Sequence, residues 1–328
     1  MVSGTPAARA SWRARFAGGG AVRLESLIVL AVLCAAMALL SNVFLSVSNL
    51  LNILLSTSVF GVLAIGQTFV ICSAGIDLSV GSILGLAGVV GALLTSSLGL
   101  PWWVGILGCF AAGAATGAFN GFLITKGAIP ALIVTLGMLG MARGLALVLS
   151  NGVSVYGLPS EIVWLGQGRP FGVPVPVIIL LLMALIAHVM LAHTRFGVYA
   201  QVIGDNEGAA RAMGVRVERM KVLLYTFSGL LSGLAGLLFA ARINSGEPTA
   251  GLNYELTAIT ATILGGTNLF GGRGSVAGTL IGALIMGVLQ NGLNLMAVRP
   301  FYQQIAIGAV LILAVWLDRI NSVGGWRR

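Results

Sequence analysis

Residues 51–98 read LNILLSTSVFGVLAIGQTFVICSAGIDLSVGSILGLAGVVGALLTSSL: two apolar runs, 51–72 and 79–98, joined by a short polar bend. A hydrocarbon layer about 30 Å thick takes roughly 20 apolar residues in a helix, and each run is that long. The only charge in the whole stretch is Asp77, in the bend. The pair therefore reads as two membrane-spanning helices and decides the fold class.

Composition extends this reading to the whole chain. Of its 328 residues, 58% are hydrophobic and only 8% charged, against about 25% charged in a soluble domain. Lipid must replace water as the solvent of the outer surface. Further apolar runs fall at 24–41, 102–124, 129–149, 174–193, 221–241, 255–267, 275–297 and 301–317. The expectation is an all-α, polytopic integral membrane bundle of about ten transmembrane helices. Small residues recur four apart at Gly113, Gly117 and Gly121, at Gly229 and Gly233, and at Gly278 and Gly282, a spacing that lets helices approach closely.

Basic residues set the orientation, because cytoplasmic loops carry an excess of Lys and Arg. With a cytoplasmic N-terminus, the inner segments hold Arg9, Arg13, Arg15, Arg23, Lys126, Arg195, Arg211, Arg216, Arg219, Lys221, Arg273, Arg319, Arg327 and Arg328. The outer segments hold only Arg169, Arg242 and Arg299, and Arg143 lies within a span. Both termini are thus expected in the cytoplasm. The division is a basic N-terminal segment 1–23, one transmembrane domain 24–318 with a cytoplasmic loop 194–220, and a tail 319–328. The net charge of +9 then reports topology and not nucleic-acid binding. Arg143 is expected to snorkel toward the outer interface, and segment 150–173 to form an outer loop exposing Trp164 and Phe171.

No enzymatic arrangement is evident. There is no G-x-x-x-x-G-K-[ST] phosphate loop, and the only lysines are Lys126 and Lys221. Cys34, Cys72 and Cys109 lack metal-ligand or disulfide spacing. His188 and His193 have no carboxylate at ligand spacing. No metal site and no cofactor bound by this chain are expected.

Three segments are left that could carry chemistry. In GDNEGAARAMG (204–214), Asp205 or Asn206 can cap a short helix. Glu207 suits its first turn, and Gly214 suits the left-handed position after it. Such a helix, standing off the membrane, has either a docking role or only the role of ordering a long loop. In SAGIDLSVGS (73–82), Asp77 or Ser79 caps the next span, with Gly75 and Gly81 allowing the bend. A cation or proton site at Asp77 is the other reading. In LGGTNLFGGRGSVAGTLIGAL (264–284), Gly265 and Gly266 open a similar bend and Gly274-Ser275 close it. Setting Gly81-Ser82 against Gly274-Ser275 suggests a parallel internal repeat. Polar residues inside spans (Gln67, Thr68, Asn120, Gln290, Asn291 and Asn294) are candidates for lining a hydrated path or for bonding helices together.

At these segments the chain resembles the permease subunits of bacterial ABC importers for monosaccharides, the ribose/xylose/autoinducer-2 group. The resemblance rests on GIDLSVGS (75–82), NGFLITKG (120–127) and HTRFGVYAQVIGDNEGAARAMGV (193–215). It continues through PTAGLNYELTAITATILGGTNLFGGRGSVAGTLIGAL (248–284) and NGLNL (291–295). It implies location in the bacterial cytoplasmic membrane and a second permease copy, forming a homodimer or a heterodimer with a related permease. A cytoplasmic ATPase would bind ATP and Mg, and an extracytoplasmic binding protein would deliver sugar. The coupling-helix role implied by the resemblance falls on Gly204, Asp205, Asn206, Glu207, Ala209, Ala210, Arg211 and Gly214. The rival readings are a secondary transporter or channel acting without an ATPase, and an ABC permease for a non-sugar solute such as a branched-chain amino acid.

Overall fold

A computed structural model describes residues 24–324, with side chains to Trp316. The basic segment 1–23 and the last residues of the tail lie outside the described residues. The helices are α1 (Leu24–Leu40), α2 (Val47–Cys72), α3 (Val80–Ala92, prolonged by a π-helical turn Leu93–Ser97), α4 (Trp102–Thr125) and α5 (Ala131–Leu149). Strand β1 (Val155–Tyr156) and the eight-residue α6 (Ser160–Gln167) follow in the loop after α5, ahead of α7 (Val175–His193). Then come α8 (Arg195–Asp205), α9 (Glu207–Ala212), α10 (Val217–Ile243), β2 (Ser245–Gly246), α11 (Tyr254–Leu264), α12 (Val276–Leu295) and α13 (Pro300–Gly324). The two short strands pair antiparallel, Val155 opposite Gly246.

Among the described residues, seven helices are long and apolar enough to cross a membrane, and α1, α11 and the Pro300–Trp316 part of α13 are shorter apolar stretches. The expected span 255–267 is corrected by this. α11 has 11 residues, about 16 Å at 1.5 Å per residue, half of the hydrocarbon thickness. Its C-terminal end, Ile263-Leu264, runs into the Gly265-Gly266 turn, where Gly266 takes φ +93°, and the helix cannot continue.

The interior is mostly apolar, as in a soluble protein, but here the outer surface is apolar as well. Outward faces are apolar: Leu132, Ile133, Leu136 and Met141 on α5 and Leu181, Leu182 and Leu185 on α7 are all exposed. The interior carries Thr57, Ser58, Gln67, Thr68, Ser228, Ser232, Thr260 and Thr262, all at most 1% exposed. Lipid gives helices no hydrophobic reason to associate, so packing and interhelical hydrogen bonds hold such a bundle together. Many of the buried hydroxyls are satisfied within their own helix, as when Thr262 Oγ1 donates to the Ala258 carbonyl at 2.8 Å.

Helix α2 is the central post, with most of its length buried, and α10, α11, α12 and α7 pack around it. The closest crossing is α4 on α10. A β-carbon at Gly113 would strike the Gly229 carbonyl, and one at Gly117 would strike that of Tyr225. The glycine spacing seen in the sequence is this contact, made backbone to backbone.

Arg143 does not snorkel. Its Nη1 turns inward and donates to the carbonyls of Pro248 and Ala250, the latter at 2.7 Å. The loop between β2 and α11 supplies these acceptors for Nη1, while Nε has no partner among the described residues. Trp164 and Phe171 are exposed, at 54% and 103%.

Candidate functional site

The loop between α7 and α10 folds into two helices where the sequence suggested one. α8 precedes the short α9, and Asp205 ends α8 and caps nothing. Asn206 takes the cap: its Oδ1 accepts from the Ala209 N–H at 2.9 Å. Gly214 holds φ +82°, the left-handed close that glycine adopts without a β-carbon clash. Glu207 in the first turn of α9 pairs with Lys221 (2.6 Å) and Arg211 (2.9 Å), and Arg211 also reaches Glu218 at 2.6 Å. The hydrogen bond from Lys221, aided by Arg211, holds the Glu207 carboxyl below the usual carboxylate range. Only Ala210 of α9 is buried, in the main core, while Asp205, Asn206, Ala209, Arg211 and Gly214 are exposed.

This loop is seated on both helix breaks. Gly204 lies against the Cys72 carbonyl at the end of α2, leaving no room for a β-carbon. The Gly272 N–H donates to that same carbonyl at 3.0 Å, which brings in the turn between α11 and α12. Gly271 and Gly272 have φ +92° and +81°. Three segments far apart in the chain thus meet at one point.

The first break buries Asp77 completely. Ser79 occupies the cap position of α3 but makes no side-chain cap bond. The cap expected of Asp77 or Ser79 is therefore corrected to a local turn joined to a neighbouring helix. Asp77 Oδ1 accepts from the Ser79 N–H at 3.0 Å and from Ser79 Oγ at 2.5 Å, and Oδ2 accepts from Ser228 Oγ of α10 at 3.3 Å. Asn120 of α4 donates to Ser79 Oγ at 2.9 Å, and Gln67 of α2 donates to the Asp77 carbonyl. At the second break Ser275 caps α12 through the Gly278 N–H at 3.1 Å. The matching cap positions are Ser79 and Ser275, so the repeat expected from Gly81-Ser82 is out of register by three residues. Gly81 and Ser82 already lie within α3.

The polar span residues separate into groups. Gln67 and Asn120 join the Asp77 cluster. Thr68 meets Thr279 of α12 at 2.7 Å. Farther along α12, Asn291 exchanges two hydrogen bonds with Asn49 of α2, at 3.0 and 2.8 Å. Asn294 accepts from Gln303 of α13 at 2.8 Å, and Gln290 is half-buried beside them. These six residues do not line a single channel within one chain. Sequence reasoning passed over Lys221, Tyr225 and Ser228. Their spacing on α10 puts them on one helical face, a signal hidden by the apolar residues between them.

The family model described as branched-chain amino acid transport system / permease component matches residues 49–315. The chain belongs to that family. It is 45% identical to the ribose import permease of Escherichia coli, over 94% of this chain and 97% of that protein. It is 45% identical to the ribose import permease of Bacillus subtilis, over 92% and 94%. The D-allose transport system permease of Escherichia coli is 38% identical over 90% of both chains. A solved inward-facing transporter of metal-chelate ABC type covers 93% of this chain and 99% of its own, with 16% identity and a TM-score of 0.49. The permease is a multi-pass membrane protein and the transport subunit of an ABC importer.

Proposed function

We propose that the chain forms the translocation pathway for a monosaccharide in a bacterial cytoplasmic-membrane ABC importer and receives the force of ATP hydrolysis through residues 204–214. The observation that carries the coupling role is the seating of that loop. α9 is exposed, charged and pinned by Glu207–Lys221, and Gly204 rests on the ends of both helix breaks. A push on α9 therefore bears on α2 and on the turn leading into α12. The sugar assignment rests on the relatives named for ribose and allose import.

In this reading α1 and α13 cross the membrane beside the seven long helices, α11 enters it only part-way, and segment 1–23 and tail 319–328 lie in the cytoplasm. Two permeases, as a homodimer or a heterodimer, would pair with an ATPase that binds ATP and Mg. A binding protein at the outer face would supply most of the sugar selectivity. The amide-bearing residues Gln290, Asn291 and Asn294 would then line the path near the outer end of α12, while Gln67, Thr68 and Asn120 would hold the bundle at its breaks.

The test is ATP hydrolysis by the reconstituted complex, with and without sugar-loaded binding protein, for wild type and for Asp205→Arg and Glu207→Arg. Loss of the sugar-stimulated rate in variants that still insert and fold supports the assignment. Solute movement by the purified chain alone on an ion gradient, indifferent to these changes, would sink it and direct attention to Asp77.

A further inference from the structure

A cavity of about 310 Å³ opens beside the coupling loop, walled by Ser73 and Gly75 of the first break, Ile124 and Ala131 of α4 and α5, and Lys221 and Tyr225 of α10. It lies between the ion pair that pins α9 and the bend that buries Asp77. Its volume falls at the small end of the roughly 300–1,000 Å³ typical of small-molecule sites. We propose that this cavity is an inner-side binding site for a monosaccharide-sized polyol, whose occupant draws the Lys221 ammonium away from Glu207. The proposal rests on the importer reading above, which places this side in the cytoplasm.

The lining selects the ligand class. Tyr225 is 1% exposed, and its hydroxyl donates to no acceptor among the described residues. A buried donor left in this state favours a ligand that brings an acceptor. Ser73 Oγ spends its proton on the Val70 carbonyl at 2.8 Å, so its lone pairs remain to accept. Lys221 has three protons, and one is directed at Glu207. Ile124, Ile129 and Pro130 supply apolar surface for the C–H face of a sugar. An anion gains little here, because the only cation in the lining is already balanced by Glu207. A purely apolar guest would leave the Tyr225 hydroxyl without an acceptor.

The walls are shaped to keep the space open. A β-carbon at Gly75 would come within 2.5 Å of the Tyr225 hydroxyl. Ala74 and Ala128, both in the lining, hold left-handed backbone at φ +58° and +51°, a conformation that residues with a β-carbon seldom adopt. Lys221 and Tyr225 are one turn apart on α10, so a guest on the hydroxyl is within reach of the ammonium. Sugar accumulating on the inner side would loosen the anchor of the coupling helix and slow the cycle.

The experiment uses the complete complex in nanodiscs, with binding protein already saturated by D-ribose, D-allose or D-xylose. Further free sugar at millimolar concentration then acts only on the transporter. The expected result is slower ATP hydrolysis by wild type as free sugar rises. Tyr225→Phe, which deletes one hydrogen bond, should raise the half-inhibiting concentration roughly three- to tenfold. Ala131→Trp, which fills the cavity from the first turn of α5, should abolish the response. Equal inhibition in all three proteins, or stimulation by loaded binding protein with no effect of free sugar, overturns the inference and leaves the importer reading standing. Absence of stimulation by loaded binding protein with every sugar overturns both.

Discussion

Lys221 and Glu207 meet at 2.6 Å across 14 residues of sequence, joining the first turn of α10 to the first turn of α9. The pair fixes a helix of only six residues, which is too short to be stable by itself. Lys221→Gln should therefore uncouple ATP hydrolysis from transport, lowering sugar uptake per ATP hydrolysed by several-fold. The exchange Glu207→Lys with Lys221→Glu should recover part of that ratio. A charge-swapped protein no better than the single variants would show that the pair does not hold the loop.

The same pair sets a pH response. Lys221 and Arg211 lower the folded-state value of Glu207 from its ordinary 4.5. A depressed carboxyl contributes stability that is complete above its unfolded value and is lost as pH falls through the folded one. The side chain is 43% exposed, so the contribution is below about 1 kcal/mol. Coupling measured as uptake per ATP should be flat from neutral pH down to the ordinary carboxyl value of 4.5 and fall only below it. A decline between pH 7 and 6 would point to another group.

Asp77 gathers three donors at the break between α2 and α3. Asp77→Ala leaves the Ser79 and Ser228 groups without their acceptor and should lower stability by about 2–4 kcal/mol. Asp77→Asn retains one carbonyl oxygen and should cost about half as much. Thermal unfolding of the purified protein in detergent measures both. An Asp77→Ala protein as stable as wild type would rule out these bonds.

At the α4–α10 crossing, Gly117→Ala places a methyl group against the Tyr225 carbonyl. Forced repacking of this kind costs about 1–3 kcal/mol. Gly137→Ala on α5, where a β-carbon meets nothing, is the control and should be neutral or slightly stabilising. Equal melting temperatures for the two variants would contradict the observed contact.

Arg143 holds the loop ahead of α11 through two carbonyls. Arg143→Met should speed amide hydrogen exchange in residues 247–252 by tenfold or more, since each hydrogen bond from a charged group is worth about 1.5–3 kcal/mol. Exchange unchanged in that loop would mean that other contacts fix it.

Much of the site could be read from the chain alone. A short helix here, a cap at Asp205 or Asn206 and the left-handed Gly214 follow from local rules, because a cap needs only residues within one turn of itself; the structure chose Asn206. The helical class, the outward apolar faces and the small-residue crossing follow from composition and four-residue spacing. Local chemistry could not place Asp77. A cap and a buried interhelical acceptor look identical in GIDLSVGS, and Ser228 lies 151 positions away. Arg143 was misread for the same reason: its acceptors are more than 100 residues distant.

Sequence by itself determined that this chain lives in lipid, spans it repeatedly and carries a capped helix in the long loop between two spans. Hydropathy, charge asymmetry and capping are all properties of short stretches in a known solvent. Only the tertiary structure decided that the loop sits on both helix breaks, that α11 is half a span, and that Lys221 and Ser228 of one helix face meet Glu207 and Asp77. Those facts depend on which distant backbones come close enough to exchange hydrogen bonds. Packing of glycine-rich helices settles that, and no local pattern encodes it.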